Sequence, residues 1–153
     1  MKLGGWKKSR GTLGPLGPLF GRWTAVAAKM PDGSVADCSR EFTAFGAGLV
    51  RLDASWDMGA RGVYREVAFF GKGDGGALAF WSFTTDGKRS TGILADASDV
   101  HRDAIAFVAE MPAGTARSVY WPDEDGADGF RFVVQSKVKK GWNTFLDHRY
   151  RPA

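Results

Sequence analysis

Glycine, proline and aspartate punctuate this chain so regularly that no interval suits a long packed helix, whereas almost every interval suits a β-strand. The breaks fall at Pro31-Asp32-Gly33, Gly46-Ala47-Gly48, Gly59-Ala60-Arg61-Gly62, the glycine-rich residues 71–76, Asp86-Gly87-Lys88, Pro112-Ala113-Gly114, the acidic residues 122–129 and Lys139-Lys140-Gly141. Between them lie strand-like segments at 22–30, 34–45, 49–58, 63–70, 77–85, 89–95, 104–111, 115–121, 130–138 and 142–151. Pro31 presets φ for a turn and Gly33 supplies positive φ, while Asp86-Gly87 is a hairpin signal that fixes register. Tight turns between neighbours favour an up-and-down meander, and closing that meander removes its exposed edges. The sequence therefore predicts an all-β fold, a single antiparallel barrel of about ten strands. Helix is expected only in a short apolar plug around Leu16–Phe20 and in one turn at 97–105, which Asp96, Ser98 or Asp99 could cap.

With 153 residues, 44% of them hydrophobic and 13% aromatic, the chain suffices for one domain with a true core. Residues 12–153 are assigned to the barrel and 1–11 to an N-terminal arm, either flexible or folded back. The 21 basic and 17 acidic residues interleave, so the basic clusters at Lys7-Lys8-Ser9-Arg10 and at 137–140 with Arg149 and Arg151 read as a solvated terminus and a charged hairpin loop, and no nucleic-acid partner is expected. Cys38 is the single cysteine, which rules out an internal disulfide and a thiolate metal cluster and favours a reducing, cytoplasmic setting. No signal-peptide core and no run approaching the roughly 18 apolar residues of a membrane helix is present, so no membrane partner is expected.

Alternation assigns faces. Val50, Leu52, Ala54, Trp56 and Met58 share one face of their segment, with Arg51, Asp53, Ser55 and Asp57 opposite. Arg40 shares a face with Ala36, Cys38, Phe42 and Ala44, and Glu66 is its candidate partner if that face is internal. Arg40 then has two readings: an anchor for the acidic head of an apolar ligand, or a strand-end residue that reaches water. Trp142, Thr144, Leu146, His148 and Tyr150 fall together, with Phe145 opposite. Segments 63–70 and 77–85 carry large apolar residues on both faces, so the outer one must be covered by residues 13–20 or by a second copy of the chain. A homodimer through residues 63–85 is the favoured expectation.

Other motifs read as structure. The acidic loop lacks the terminal glutamate and flanking helices of a calcium loop. The glycines of 71–76 precede no helix that could cradle phosphate. Cys38 has no activating neighbours, and His148 reads as an ordinary strand histidine, since His101 is its only companion and lies in a polar loop.

Gly21-Arg22-Trp23 on the first strand, preceded by an apolar turn and followed by a meander with a basic last strand, resembles the calycin superfamily of lipocalin-like barrels. The resemblance implies that Trp23 packs across a closed end against Arg149 or Arg151. It is closer to bacterial lipocalin-like domains than to fatty-acid-binding proteins, because no helix pair follows the first strand. It extends remotely to nitrobindins, whose haem-ligating histidine position falls on Phe145 here, with His148 three residues away.

The expected function is binding of a small hydrophobic ligand in an aromatic-lined cavity, with no catalytic residue, metal or cofactor assigned. The ligand-binding candidates are Trp23, Arg40, Phe42, Trp56, Tyr64, Glu66, Trp81, Phe83, His148 and Tyr150. The alternatives are a barrel enzyme (cyclase, isomerase or hydratase) using Arg40, Tyr64, Glu66 and His148 as acid-base groups, nitrobindin-like haem binding, and a barrel with a filled core.

Overall fold

The computed structural model describes residues 5–125 and 128–153. A 3-10 turn, Gly14–Leu19, leads into ten strands: β1 Gly21–Lys29, β2 Val35–Phe45, β3 Leu49–Asp57, β4 Val63–Lys72, β5 Leu78–Thr84, β6 Arg89–Ala95, β7 Ile105–Met111, β8 Gly114–Pro122, β9 Phe130–Val138 and β10 Gly141–Pro152. Every strand pairs antiparallel with its sequence neighbours, and β1 meets β10 to close the barrel. The turn glycines explain the sharp reversals: Gly33 and Gly87 sit at φ of 86° and 82°, which side-chain-bearing residues rarely adopt. Of the helix expected at 97–105, a single hydrogen-bonded turn forms. Ala97 accepts from the amides of Val100 and His101, and the segment then lies flat over the outside of the barrel.

One end is plugged. Leu16 and Leu19 are fully buried, each contributing about 1.5–3 kcal/mol by leaving water. The arm folds back beside them, with Trp6 donating to the Asp103 carbonyl at 2.7 Å and Lys8 to that of Ala104 at 3.1 Å. Residues 13–20 thus seal the barrel end and leave the outer face of β4 and β5 bare. Above the plug, Phe130 stacks on Tyr150 at 5.1 Å, Tyr120 packs on Phe132 at 4.6 Å, and Phe42 and Phe107 flank Phe70 at 6.1 and 5.1 Å. These rings fill the lower barrel.

Trp23 does lie at the closed end, but no arginine covers it. Its indole donates to the Leu19 carbonyl at 2.8 Å and meets Phe130 edge-on at 4.9 Å. Arg149 turns away to the buried Asp123, at 3.5 Å, and to Asp125, while Arg151 is exposed opposite Thr24. The acidic loop that begins at Asp123 includes residues 126 and 127, which lie outside the described residues.

Two irregularities change which residues face inward. In β10 a bulge between Thr144 and Leu146 leaves Phe145 as the extra residue. It reverses the phase, so Trp142 and Thr144 do not share a face with Leu146, His148 and Tyr150. The guanidinium of Arg117 lies 4.5 Å from the centre of the Trp142 ring, and Thr144 accepts from Gln135 at 3.1 Å, both on the outer wall. In β1 the register shifts between Ala25 and Ala28, and Ala27 takes a φ of 52° with its amide bonded to Asp37. The β1–β10 pairing covers Trp23 and Thr24 and is continued on one side by the Ala153 amide donating to the Arg22 carbonyl at 2.9 Å; on the other, His148 bridges the seam through Nε2 to the Lys29 carbonyl at 2.9 Å.

A second, smaller core lies outside the barrel, where Ala97, Val100 and Ala104 pack on Ala106, Val119 and Val133. A two-pronged ion pair fastens this cover, with Arg117 Nη1 and Nη2 at 3.0 and 2.8 Å from the Asp99 carboxylate. That pairing holds Asp99 below the usual carboxylate range.

Candidate functional site

The unplugged half of the barrel is hollow. A cavity of about 370 Å³ opens among the β3–β4, β5–β6, β7–β8 and β9–β10 hairpins. Its wall is mostly apolar, formed by Leu52, Ala68, Phe70, Phe80, Phe107 and Val134, with Lys88, Arg89 and Ser90 at the mouth. Of the ten sequence-based candidates, Arg40, Trp56, Tyr64 and Glu66 line it together.

Arg40 is the unusual member. Only 3% of it is exposed, although guanidinium is among the most costly groups to bury. Its Nη2 donates to the Tyr120 hydroxyl at 2.6 Å, whereas Nε and Nη1 have no hydrogen-bond partner among the described residues. Aromatic faces supply further compensation, since its central carbon lies 4.3 Å from the centre of the Phe132 ring, 5.4 Å from Tyr120 and 6.0 Å from Trp56. The reading in which Arg40 reaches water is therefore corrected: it crosses the barrel interior.

The expected Arg40–Glu66 ion pair does not form either. Register explains how the two come to be separated: Arg40 lies opposite Ala54, and Ala54 opposite Glu66, so one small residue stands between them. Arg40 reaches across to Tyr120, while Glu66 turns to the neighbouring strand and accepts from the Ser82 hydroxyl at 2.5 Å. The cation and the carboxylate thus face the same cavity without touching. The Tyr64 hydroxyl, nearer the mouth, donates to Asp86 at 3.2 Å.

Tyr120 is the partner that the sequence reading left unselected, although alternation through 115–121 places Ala116, Ser118 and Tyr120 on one face, and all three line the cavity. Because its oxygen accepts from Arg40, its own proton remains to be donated. Burial pushes its pKa up, and the adjacent guanidinium pulls the other way.

The remaining candidates lie elsewhere. Phe42 and Tyr150 belong to the ring stack below the cavity, and Trp23 to the closed end. The Tyr150 hydroxyl is close enough to Arg40 to feel its charge but makes no hydrogen bond of normal geometry. Trp81 and Phe83 stand on the outside, 39% and 49% exposed, because Phe80 and Ser82 take the inward positions of β5. His148 is spent on the β1–β10 seam, and His101 bonds Glu124 at 2.7 Å in the connections below. Neither histidine lines the cavity, and the position implied by the nitrobindin resemblance is Phe145, which lines it without a donor atom.

A closed ten-stranded antiparallel barrel with one plugged end is compatible with a lipocalin-like architecture. No family model matches the chain, and no curated protein matches it in sequence.

Proposed function

We propose that this barrel binds a small, largely apolar ligand, whose hydrogen-bond-accepting head sits against Tyr120 and Arg40. A single observation carries the reading: a guanidinium buried in the wall of an apolar cavity and held, among the described residues, by one hydrogen bond. Burying that charge costs several kcal/mol, which a barrel built only to be stable would avoid with an apolar residue. An acceptor on the ligand would take the Tyr120 proton, and the charge behind it would strengthen that bond. About 370 Å³ suits a compact one- or two-ring molecule.

The test is a fluorescence titration with two apolar bicyclic probes, neutral β-tetralone and anionic β-naphthoate, read through Trp56 in the cavity wall. Saturable quenching is expected for at least one, and its loss in Ala68→Leu, which fills the cavity from its wall. Quenching by neither probe, or quenching that survives Ala68→Leu unchanged, rejects the proposal.

A further inference from the structure

The cavity holds a carboxylate that ligand binding alone does not need. Glu66 faces the interior from β4, two strands from Arg40 in the same register row, and among the described residues its hydrogen bond is from Ser82. Carboxylate and guanidinium this near would normally close on each other. Here Ala54 lies between them, and each side chain is held away from it, Arg40 by Tyr120 and Glu66 by Ser82. What remains is a space with a Brønsted base on one side and a charge-backed hydroxyl donor on the other, walled by Leu52, Phe70 and Phe107.

We propose that this juxtaposition catalyses proton transfer at the carbon next to a carbonyl group of a small apolar ketone, with Glu66 as base and Tyr120 as the donor to the carbonyl oxygen. The inference rests on the ligand-binding reading of the same cavity. In the step, Glu66 removes a proton from the α-carbon as the C–H bond breaks. That electron pair forms the C=C bond, and the C=O π electrons move to oxygen. The resulting enolate oxygen is stabilised by the Tyr120 O–H, behind which stands Arg40. The Glu66 carboxyl, once its proton has exchanged with water through the open mouth, reprotonates the same carbon; in a β,γ-unsaturated ketone it delivers the proton to the γ-carbon, which gives the conjugated isomer. Nothing is oxidised, and no co-reactant is consumed.

The geometry suits a ketone better than a carboxylate in this role. Glu66 already places one negative charge in the cavity, and a second anion beside it would be repelled. A neutral carbonyl leaves the Arg40 and Glu66 charges balanced at the start and develops its own negative charge only at the enolate, where Tyr120 and Arg40 wait. Stabilisation that grows along the reaction is what lowers a barrier.

The experiment follows deuterium uptake at the benzylic carbon of β-tetralone by NMR in D2O at neutral pD, together with Trp56 quenching by the same probe. Wild-type protein is expected to accelerate exchange over buffer. Glu66→Gln, which keeps an oxygen for Ser82, is expected to bind β-tetralone with similar quenching while losing about 100-fold or more of the acceleration. Tyr120→Phe is expected to lose about 100-fold as well. Conversion of a β,γ-unsaturated cyclohexenone to its conjugated isomer, read by the ultraviolet band of the enone, is the confirming reaction. Binding with exchange at the buffer rate, or exchange undiminished in Glu66→Gln, overturns this proposal and leaves the binding reading standing. Absence of any quenching by either bicyclic probe overturns both.

Discussion

Replacing Arg40 by methionine separates a residue kept for a ligand from one kept for the fold. The desolvation of a buried guanidinium costs several kcal/mol. Against it stand one charge-assisted hydrogen bond to Tyr120, about 1.5–3 kcal/mol, and cation–π contacts with Phe132 and Tyr120, about 2 kcal/mol. The two sides nearly cancel. Methionine occupies much of the same volume with a flexible, apolar side chain, so the cavity it leaves is small. It removes the burial cost along with the contacts, and Tyr120 keeps a hydroxyl that water in the cavity can serve.

The free Arg40→Met protein is therefore expected to be between unchanged and about 2 kcal/mol more stable, which for a chain of this size is a Tm rise of up to about 8 °C. Its affinity for whichever bicyclic probe binds is expected to fall at least about tenfold, the worth of one charge-backed hydrogen bond. Differential scanning calorimetry and the Trp56 titration measure the two quantities on the same sample. A loss of about 3 kcal/mol, a Tm drop near 10 °C, would refute the reasoning, because Arg40 would then be holding the barrel together.

Acid should weaken the barrel through His148. Burial, foremost, and then the charge of Arg40 lower its pKa from 6.5, against the opposing pull of the Lys29 carbonyl and Asp147. As pH falls through about 6.5 the unfolded chain takes up a proton that the folded one refuses, so stability is lost from there downward until the folded pKa is reached. Urea midpoints between about pH 8 and about pH 5 should fall in wild type more steeply than in His148→Gln, and parallel curves reject the assignment. Cys38, whose thiol burial pushes up to about 11 from 9.0, should react with a disulfide reagent at least about 100-fold more slowly in the native protein than in urea. A native rate equal to that of a free thiol contradicts its placement. For the homodimer proposed through the bare outer face, one register row reads Glu41, Asp53, Val67, Phe83, Arg89: acidic at one side, apolar in the middle, basic at the other. A two-fold axis along the strands sets Asp53 of each copy near Arg89 of the other over the apolar centre. Sedimentation should show a dimer that Phe83→Glu converts to a monomer, and a monomeric wild type removes the proposal.

The strands were legible because turn chemistry is local. Gly33 and Gly87 occupy backbone states that almost only glycine takes cheaply, and such residues mark a reversal wherever they stand. The inward face of β3 was equally plain, since Val50, Leu52 and Ala54 are all buried opposite charged or polar neighbours. In β5 the rule that large apolar residues go inside failed. Ser82 points in and Trp81 out because both faces of this segment carry large apolar residues, so alternation alone leaves the inward one open; pairing with β4 sets Ser82 beside Ala68 and Phe80 beside Phe70, whose rings leave little room around them. Gly92 shows the same limit, for a Cβ there would lie 2.5 Å from the Phe80 ring.

The site was half legible for a related reason. Alternation says which residues share a face, but it left open whether the Arg40 face was internal, and it does not say which way a long side chain leans. The register row of Arg40 and Glu66 invites an ion pair across Ala54, and only the ring stack decides otherwise. Phe132 and Tyr120, contributed by β9 and β8 from the far side of the barrel, offer Arg40 two aromatic faces and a hydroxyl, while Ser82 on the next strand offers Glu66 a donor. These partners lie 80 and 16 residues away in the chain, respectively, for Tyr120 and Ser82. The bulge at Phe145 has the same character: one extra residue in β10 brings a ring to the cavity wall and turns His148 to the seam. Each of these choices is made by closure, which sets strands distant in sequence across a shared interior. The chemistry of the cavity is a product of that closure, and it depends on Tyr120 and Ser82 drawing the two charges apart.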